Sequence, residues 1–261
     1  MVCPRCAAVL TATEYTSSAG QSARYWTECP CLYGGAERVA ELAAASVGVQ
    51  VDARVEQIRD GVDLSAFTFE SFDPDRLKGG AGLVAAARRW LDLIQPHAVA
   101  PSYPDEETPR PCLYFYSAGK GRGKTHLAAA IANAARADGR LVAFADEMAY
   151  IERYWAASLD ERAKLSALPG ERAWLTVLDD LGQRESTGPG LRDAWYDVVN
   201  PRWLKRGWTI ITSNWTPDEL LARGTINEAT YSRIVQMTRG QLVTFVGSDQ
   251  RLPMHQHALE Q

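Results

Sequence analysis

The segment YFYSAGKGRGKTHLAAAI, Tyr114 to Ile131, sets small residues, a lysine and a threonine between an aromatic apolar run and an alanine-rich one. That is the order strand, glycine-rich loop, helix start which a phosphate-binding loop requires. Glycines let successive backbone N–H groups face an anion, and a helix N-terminus adds positive potential. The loop runs Ala118, Gly119, Lys120, Gly121, Arg122, Gly123, Lys124, Thr125, and His126 follows on the helix surface, closing the set of nucleotide-contact residues. Lys124 would reach the β- and γ-phosphates of ATP, and the Thr125 hydroxyl would hold Mg2+. Ala118 stands where the motif has its first glycine. A chance GKT ahead of a helix is the plainer alternative, and the flanking apolar runs argue against it.

A phosphate-binding loop needs an acid that orders the metal at the end of a neighbouring strand. AWLTVLDDLG supplies two, Asp179 for the Mg2+ shell and Asp180 to polarise the attacking water. Without the loop upstream, two such acids would read as a solvated turn or a helix cap. Asp180 is one methylene shorter than the glutamate common at this place, which predicts slow turnover. In TIITSNWTPDEL, Asn214 at a strand tip is placed to position the lytic water, or is an ordinary loop residue. Thr216 and Glu219 form the signature of a capped helix start.

A second kind of chemistry sits at the N-terminus. Cys3 and Cys6 in CPRC, and Cys29 and Cys31 in CPC, lie 22 residues apart, whereas Cys112 stands alone on an apolar run. Four thiolates in two knuckles suit tetrahedral Zn2+, and a module of about 35 residues buries too little apolar surface to fold without metal. C-x-C in place of C-x2-C keeps four unligated thiols open as an alternative. Cys112 reads as a buried core residue.

These residues need elements to position them. The chain has 261 residues, 46% of them apolar and 23% charged, which suits one large globular domain plus a small module. A net charge of −4 excludes a blanket polyanion binder. MVCPRCAAVL has no apolar core of a secretory signal, and no apolar run approaches the roughly 18 residues of a membrane span. A cytoplasmic protein with reduced thiols is therefore expected.

Apolar runs at Cys112–Ser117, Leu141–Ala145, Trp174–Leu178, Thr209–Thr212 and Leu242–Val246 read as strands. Helical stretches at Lys124–Ala137, Glu147–Ala157, Leu191–Leu204 and Glu228–Met237 separate them, with an earlier helix at Gly82–Ile94. The alternation predicts an α/β fold with a five-stranded parallel sheet. The proline-rich stretch from Pro96 to Pro111 reads as a loop. The organisation expected is a zinc-binding module over 1–35, a helical linker over 36–65, an ATPase domain over 66–252 and a flexible tail over 253–261.

In combination the phosphate loop, LDDLG, TSNW and the closing TYSRIVQM…VTFVGSDQR resemble the AAA+ helicase loaders of the DnaC/DnaI type, within the IstB/DnaC-like ATPases. FTFESFDPDR, from Phe67 to Arg76, resembles the segment that opens their ATPase domain. The resemblance spans about Phe67 to Arg251. It implies that Arg233 acts as a finger on a neighbour's nucleotide and that Arg251 lies near the nucleotide, although a surface strand-end role for Arg251 stays open. It also implies a core without a C-terminal lid, so that self-association on ATP binding would complete the site.

The partners implied are a hexameric replicative helicase of the DnaB family and single-stranded DNA; the cofactors expected are ATP, Mg2+ and Zn2+. NPRWLKRGW, Asn200 to Trp208, combines Arg202, Lys205 and Arg206 with Trp203 and Trp208, a composition suited to tracking and stacking a single strand. Burial of those tryptophans ahead of a strand is the alternative. Two other functions stay open, a transposition helper ATPase of the IstB type and a zinc adaptor that binds nucleotide without hydrolysis.

Overall fold

The computed structural model describes residues 12–16, 22–26, 64–100, 109–184 and 189–249. Cys3, Cys6, Cys29, Cys31, Arg251, the linker up to 63 and the tail lie outside them. Within the N-terminal stretch, β1 (Ala12–Thr16) and β2 (Ser22–Trp26) pair antiparallel, in register from Ala12 opposite Trp26 to Thr16 opposite Ser22.

The larger sheet has five strands: β3 (Cys112–Tyr116), β4 (Val142–Asp146), β5 (Leu175–Leu181), β6 (Trp208–Ser213) and β7 (Val243–Thr244). They lie in the order β4-β5-β6-β3-β7, and every neighbouring pair is parallel. Parallel strands are covered on both faces, so their sequences are apolar throughout and not alternating. Alternate residues still go to opposite layers. Leu113, Phe115, Phe144, Val177 and Ile210 join one core with Trp90, Leu91 and Ile94 of α1 (Gly80–Ile94) and Leu127 and Ile131 of α2 (Lys124–Ala137). Cys112, Tyr114, Leu178 and Ile211 join the other core. Their partners are Tyr150 and Ile151 of α3 (Glu147–Ala156), Trp195 and Val198 of α5 (Pro189–Lys205), and Ile234 of α7 (Glu228–Thr238). Cys112 is fully buried, as its place on the first core strand implied.

Two elements depart from expectation. Between α3 and β5 the chain forms α4 (Leu159–Ala167) and a π-helical turn (Leu168–Arg172). Ser158 and Glu161 close a capping box on α4, a signature present in SLDE but masked by the low apolar content of the helix. The last strand has only the two residues of β7, since one edge of the sheet offers it only Phe115 and Tyr116 as partners. The short helix α6 (Pro217–Ala222) starts at Thr216 with the capping box to Glu219 that its sequence announced.

Candidate functional site

The C-terminal ends of β3, β5 and β6 face one cavity of about 500 Å3, the place where crossovers in a parallel sheet leave a crevice. The phosphate-binding loop leaves β3 at Ser117 and enters α2 at Lys124. Gly121 and Gly123 have φ of +70° and +78°, conformations that cost other residues about 1 kcal/mol or more. A Cβ on Gly121 would lie 1.7 Å from Asp249 Oδ1, so a side chain there is excluded by space as well. Ala118 is exposed and is not among the positive-φ residues, which explains why the motif's first glycine is dispensable here.

Lys124 is buried, at 5% exposure, and its Nζ donates to Ser117 Oγ at 2.7 Å and to Asn214 Oδ1 at 2.7 Å. The ammonium is thus aimed into the cavity by the tips of β3 and β6. Asn214 lines the same cavity, where its amide orients the lysine. Lys120 and Arg122 line the cavity mouth, and Arg122 also reaches the Phe245 carbonyl at 3.4 Å.

The metal side is built around Asp179, fully buried at the exit of β5. Its Oδ1 accepts from Thr125 Oγ1 at 2.9 Å and from Thr212 Oγ1 at 2.7 Å. The hydroxyl and carboxylate expected around Mg2+ therefore touch already. Asp180 lines the cavity with φ of +56°, within the bulge that shifts the β5–β6 register between Leu178 and Leu181. A non-glycine residue held there is in a sparsely populated backbone conformation that its surroundings must maintain. Its N–H donates to Thr212 Oγ1 at 2.9 Å, so one threonine orders both acids.

Asp146, at the end of β4 opposite Asp179 in register, brings a third carboxylate within 4.8 Å of the other two. A hydroxyl and clustered carboxylates are hard oxygen donors of the kind that suit Mg2+, and the residues present fit that ion. Sequence reasoning passed over Asp146 although VAFADE repeats the pattern of VLDD, an apolar run ending in two acids.

Glu147 follows Asp146 and is fully buried. Its Oε2 accepts from the Gly182 N–H and its Oε1 from the Arg184 N–H, both at 2.7 Å. Gln183, between those amides, lines the cavity, and its N–H returns to the Asp180 carbonyl at 3.0 Å. One carboxylate thus clamps the turn that leaves Asp180. Burial raises its pKa to about 7, against the pull of the two amides.

The remaining wall comes from the segment ahead of α1. Phe67, Ser71, Asp73 and Arg76 line the cavity, and His126 does so from α2. His126 is not a surface residue, contrary to expectation. Its ring stacks on Phe67 at 4.8 Å, meets Phe72 edge-on at 5.2 Å, and has Nε2 3.0 Å from the Thr68 carbonyl. Burial lowers its pKa.

The basic stretch from Asn200 is corrected too. Arg202 is 2% exposed and donates to the carbonyls of Ala173, Trp174 and Trp208, while Trp208 is fully buried in the core. Neither is placed to meet a nucleic acid. Lys205 pairs with Glu171 at 3.2 Å. Arg233 lies outside the cavity lining: its Nε donates to Asn200 Oδ1 at 2.8 Å, and its guanidinium packs over Tyr196 and Trp203.

Residues 116–252 match the family described as IstB-like ATP binding protein. Among solved structures, the DnaC helicase loader superposes with a TM-score of 0.52 at 21% identity, over 70% of this chain and 98% of that one. A DnaI structure does so with a TM-score of 0.51 at 19% identity, over 72% and 92%. AMPPCP-bound DnaA from Aquifex aeolicus gives 0.49 at 19%, over 75% of this chain, which spans 55% of that protein. At these identities the likeness to the DnaC helicase loader and DnaI shows the fold alone, an α/β core on a five-stranded parallel sheet. No curated protein matches the sequence. Among the described residues no helix is long and apolar enough to cross a membrane.

Proposed function

This chain belongs to the IstB-like ATP-binding protein family, and we propose that it hydrolyses ATP to deliver a hexameric replicative helicase of the DnaB family onto single-stranded DNA. The observation that carries the ATPase half is the convergence of Lys124, Thr125, Asp180 and Asn214 on one cavity, with Asp179 bonded to Thr125 from the end of β5. Those groups match the needs of phosphoryl transfer, which is mostly positioning and charge stabilisation. Backbone amides of the loop bind the polyphosphate, and Lys124, already held by Ser117 and Asn214, meets charge developing on the β–γ bridging oxygen. Asp180 accepts the proton of the water whose oxygen bonds to the γ-phosphorus as the bond to ADP breaks. Thr125 and Asp179 would hold Mg2+, which would supply neutralisation of the phosphate oxygens.

The loading half is supported by the match to the DnaC helicase loader and DnaI over nearly the whole of those chains. The N-terminal cysteines are proposed to bind Zn2+ and, with the linker, to grip the helicase. ATP binding would bring copies together, with Arg233 released from Asn200 to reach a neighbour's nucleotide. Arg251 would stand near the nucleotide of its own chain.

The family's description as IstB-like favours a second reading, an IstB-type helper, which would serve a transposase on duplex DNA. Native mass spectrometry of the full chain with its replicative helicase separates the two. An ATP-dependent complex supports loading. No complex, together with ATP turnover stimulated by duplex DNA and transposase, would establish the helper instead.

A further inference from the structure

We infer that His126 is a positioning residue that fastens the nucleoside-facing wall, Phe67 to Arg76, to the phosphate-binding helix, making nucleoside affinity depend on a side chain that need not touch phosphate. The inference rests on the reading of the cavity as an ATP site and extends it from the phosphates to the rest of the nucleotide.

The loop read as phosphate-binding runs from Ser117 to Thr125, and the helix it opens carries His126 in its first turn. The ring of His126 is held on two sides, by the stacked Phe67 and the edge of Phe72. Its Nε2 lies 3.0 Å from the Thr68 carbonyl, which can only accept, so the proton of the neutral ring sits on Nε2. Ser71 Oγ lies 3.0 Å from the same nitrogen and also donates to the Ala66 carbonyl at 2.9 Å.

The segment from Ala66 to Phe72 is therefore tied through one imidazole to the residue after Thr125. Phe67 and Ser71 themselves line the cavity, so the tie fixes the surface a nucleoside would meet. A residue that only filled the core would not distinguish a nucleotide from its bare phosphate chain. His126 should.

The test compares ATP with inorganic tripolyphosphate, both with Mg2+, by calorimetry on the full-length chain and on His126→Ala, His126→Gln and Phe67→Leu. The expected result is a fall of about tenfold or more in ATP affinity for His126→Ala, with tripolyphosphate affinity held within twofold. His126→Gln, which keeps a donor for the Thr68 carbonyl, recovers part of the loss. Phe67→Leu, made on the other side of the stack, shows the same selective loss and serves where His126→Ala folds poorly. ATP affinity unchanged in both truncations, or ATP and tripolyphosphate affinities falling together, overturns the inference while leaving the ATP site standing. A parent chain that takes up neither probe removes the ATP reading and this inference with it.

Discussion

The two halves of the cavity are built in opposite ways. The phosphate half comes from one continuous run, Ser117 to Thr125, completed by the tips of two adjacent strands. The nucleoside half comes from a segment some fifty residues earlier in the chain. That segment is held by His126, by the bridge of Leu77 to Gly247, and by the bond of the Ser248 N–H to the Arg76 carbonyl. Backbone amides would do the binding in the first half under the proposed reading, so the requirement is glycine at fixed places, which a sequence displays. Contacts over long separations hold the second, one through the His126 ring and two through backbone groups, and no spacing rule displays those.

The largest effect expected lies in the phosphate half. Lys124→Ala removes a buried cation joined to both Ser117 and Asn214, and ATP affinity should drop by about a hundredfold or more in calorimetry, roughly 3 kcal/mol. Retained affinity would mean the loop does not hold the polyphosphate. Next comes Asp180→Asn, which keeps the shape and removes the base. Turnover measured by phosphate release should fall about 10²- to 10⁴-fold with ATP affinity little changed. Affinity and turnover falling together would assign Asp180 to binding instead.

How far the site could be read in advance follows the same division. Lys120 to Thr125, Asp180 and Asn214 line the cavity, and Asp179 bonds to Thr125 beside them, because the apolar runs stop at these strand ends. The five-stranded parallel sheet was equally accessible, since each strand is a short apolar block between helical blocks, whereas the order of its strands was not read. Glu147 and Asp146 carried the same strand-end signal and were missed, because a helix start also explains acids there; Asp146 does cap α3, accepting from the Ala149 N–H at 3.1 Å. Arg202 and Trp208 misled for a physical reason. Composition cannot tell a basic aromatic surface from a buried guanidinium satisfied by carbonyls, and Arg202 is the latter, its pKa lowered to about 9 by burial. His126 was misplaced because its partners, Phe67 and Thr68, are far away in sequence.

A smaller effect probes the clamp that joins the halves of the strand-end machinery. In Glu147→Gln one of the two amides of the 182–184 turn faces an N–H in place of an oxygen. Turnover should fall about tenfold with ATP affinity held, as Asp180 loses its fixed aim. The pH dependence gives a separate sign. Glu147 binds its proton more tightly in the fold, near pH 7, than its ordinary 4.5, so between those values the folded chain carries more protons than the unfolded one. Stability contributed by this group is thus present below about pH 4.5 and is lost as pH rises toward 7, by up to about 3 kcal/mol. Denaturant midpoints at pH 5 and pH 8 should differ more for the parent than for Glu147→Gln. Equal differences would show the carboxyl to be ionised throughout.

The smallest effect is predicted where the motif itself is imperfect. Ala118→Gly restores the letter the phosphate-loop pattern prefers, yet Ala118 is exposed and its backbone makes no demand for positive φ. ATP affinity should stay within twofold, and stability should fall by about 0.5–1 kcal/mol because glycine adds freedom to the unfolded chain. Gly121→Ala is the contrasting change: φ of +70° and the Asp249 carboxylate both oppose a methyl, so affinity and stability should fall together. If Ala118→Gly tightened ATP binding tenfold, amide geometry at the start of the loop would be limiting. The phosphate half would then be less complete than its distances indicate. If both changes are neutral, the loop is softer than its glycine conformations imply, and the contrast between a half built on one continuous loop and a half held by distant contacts would lose its basis.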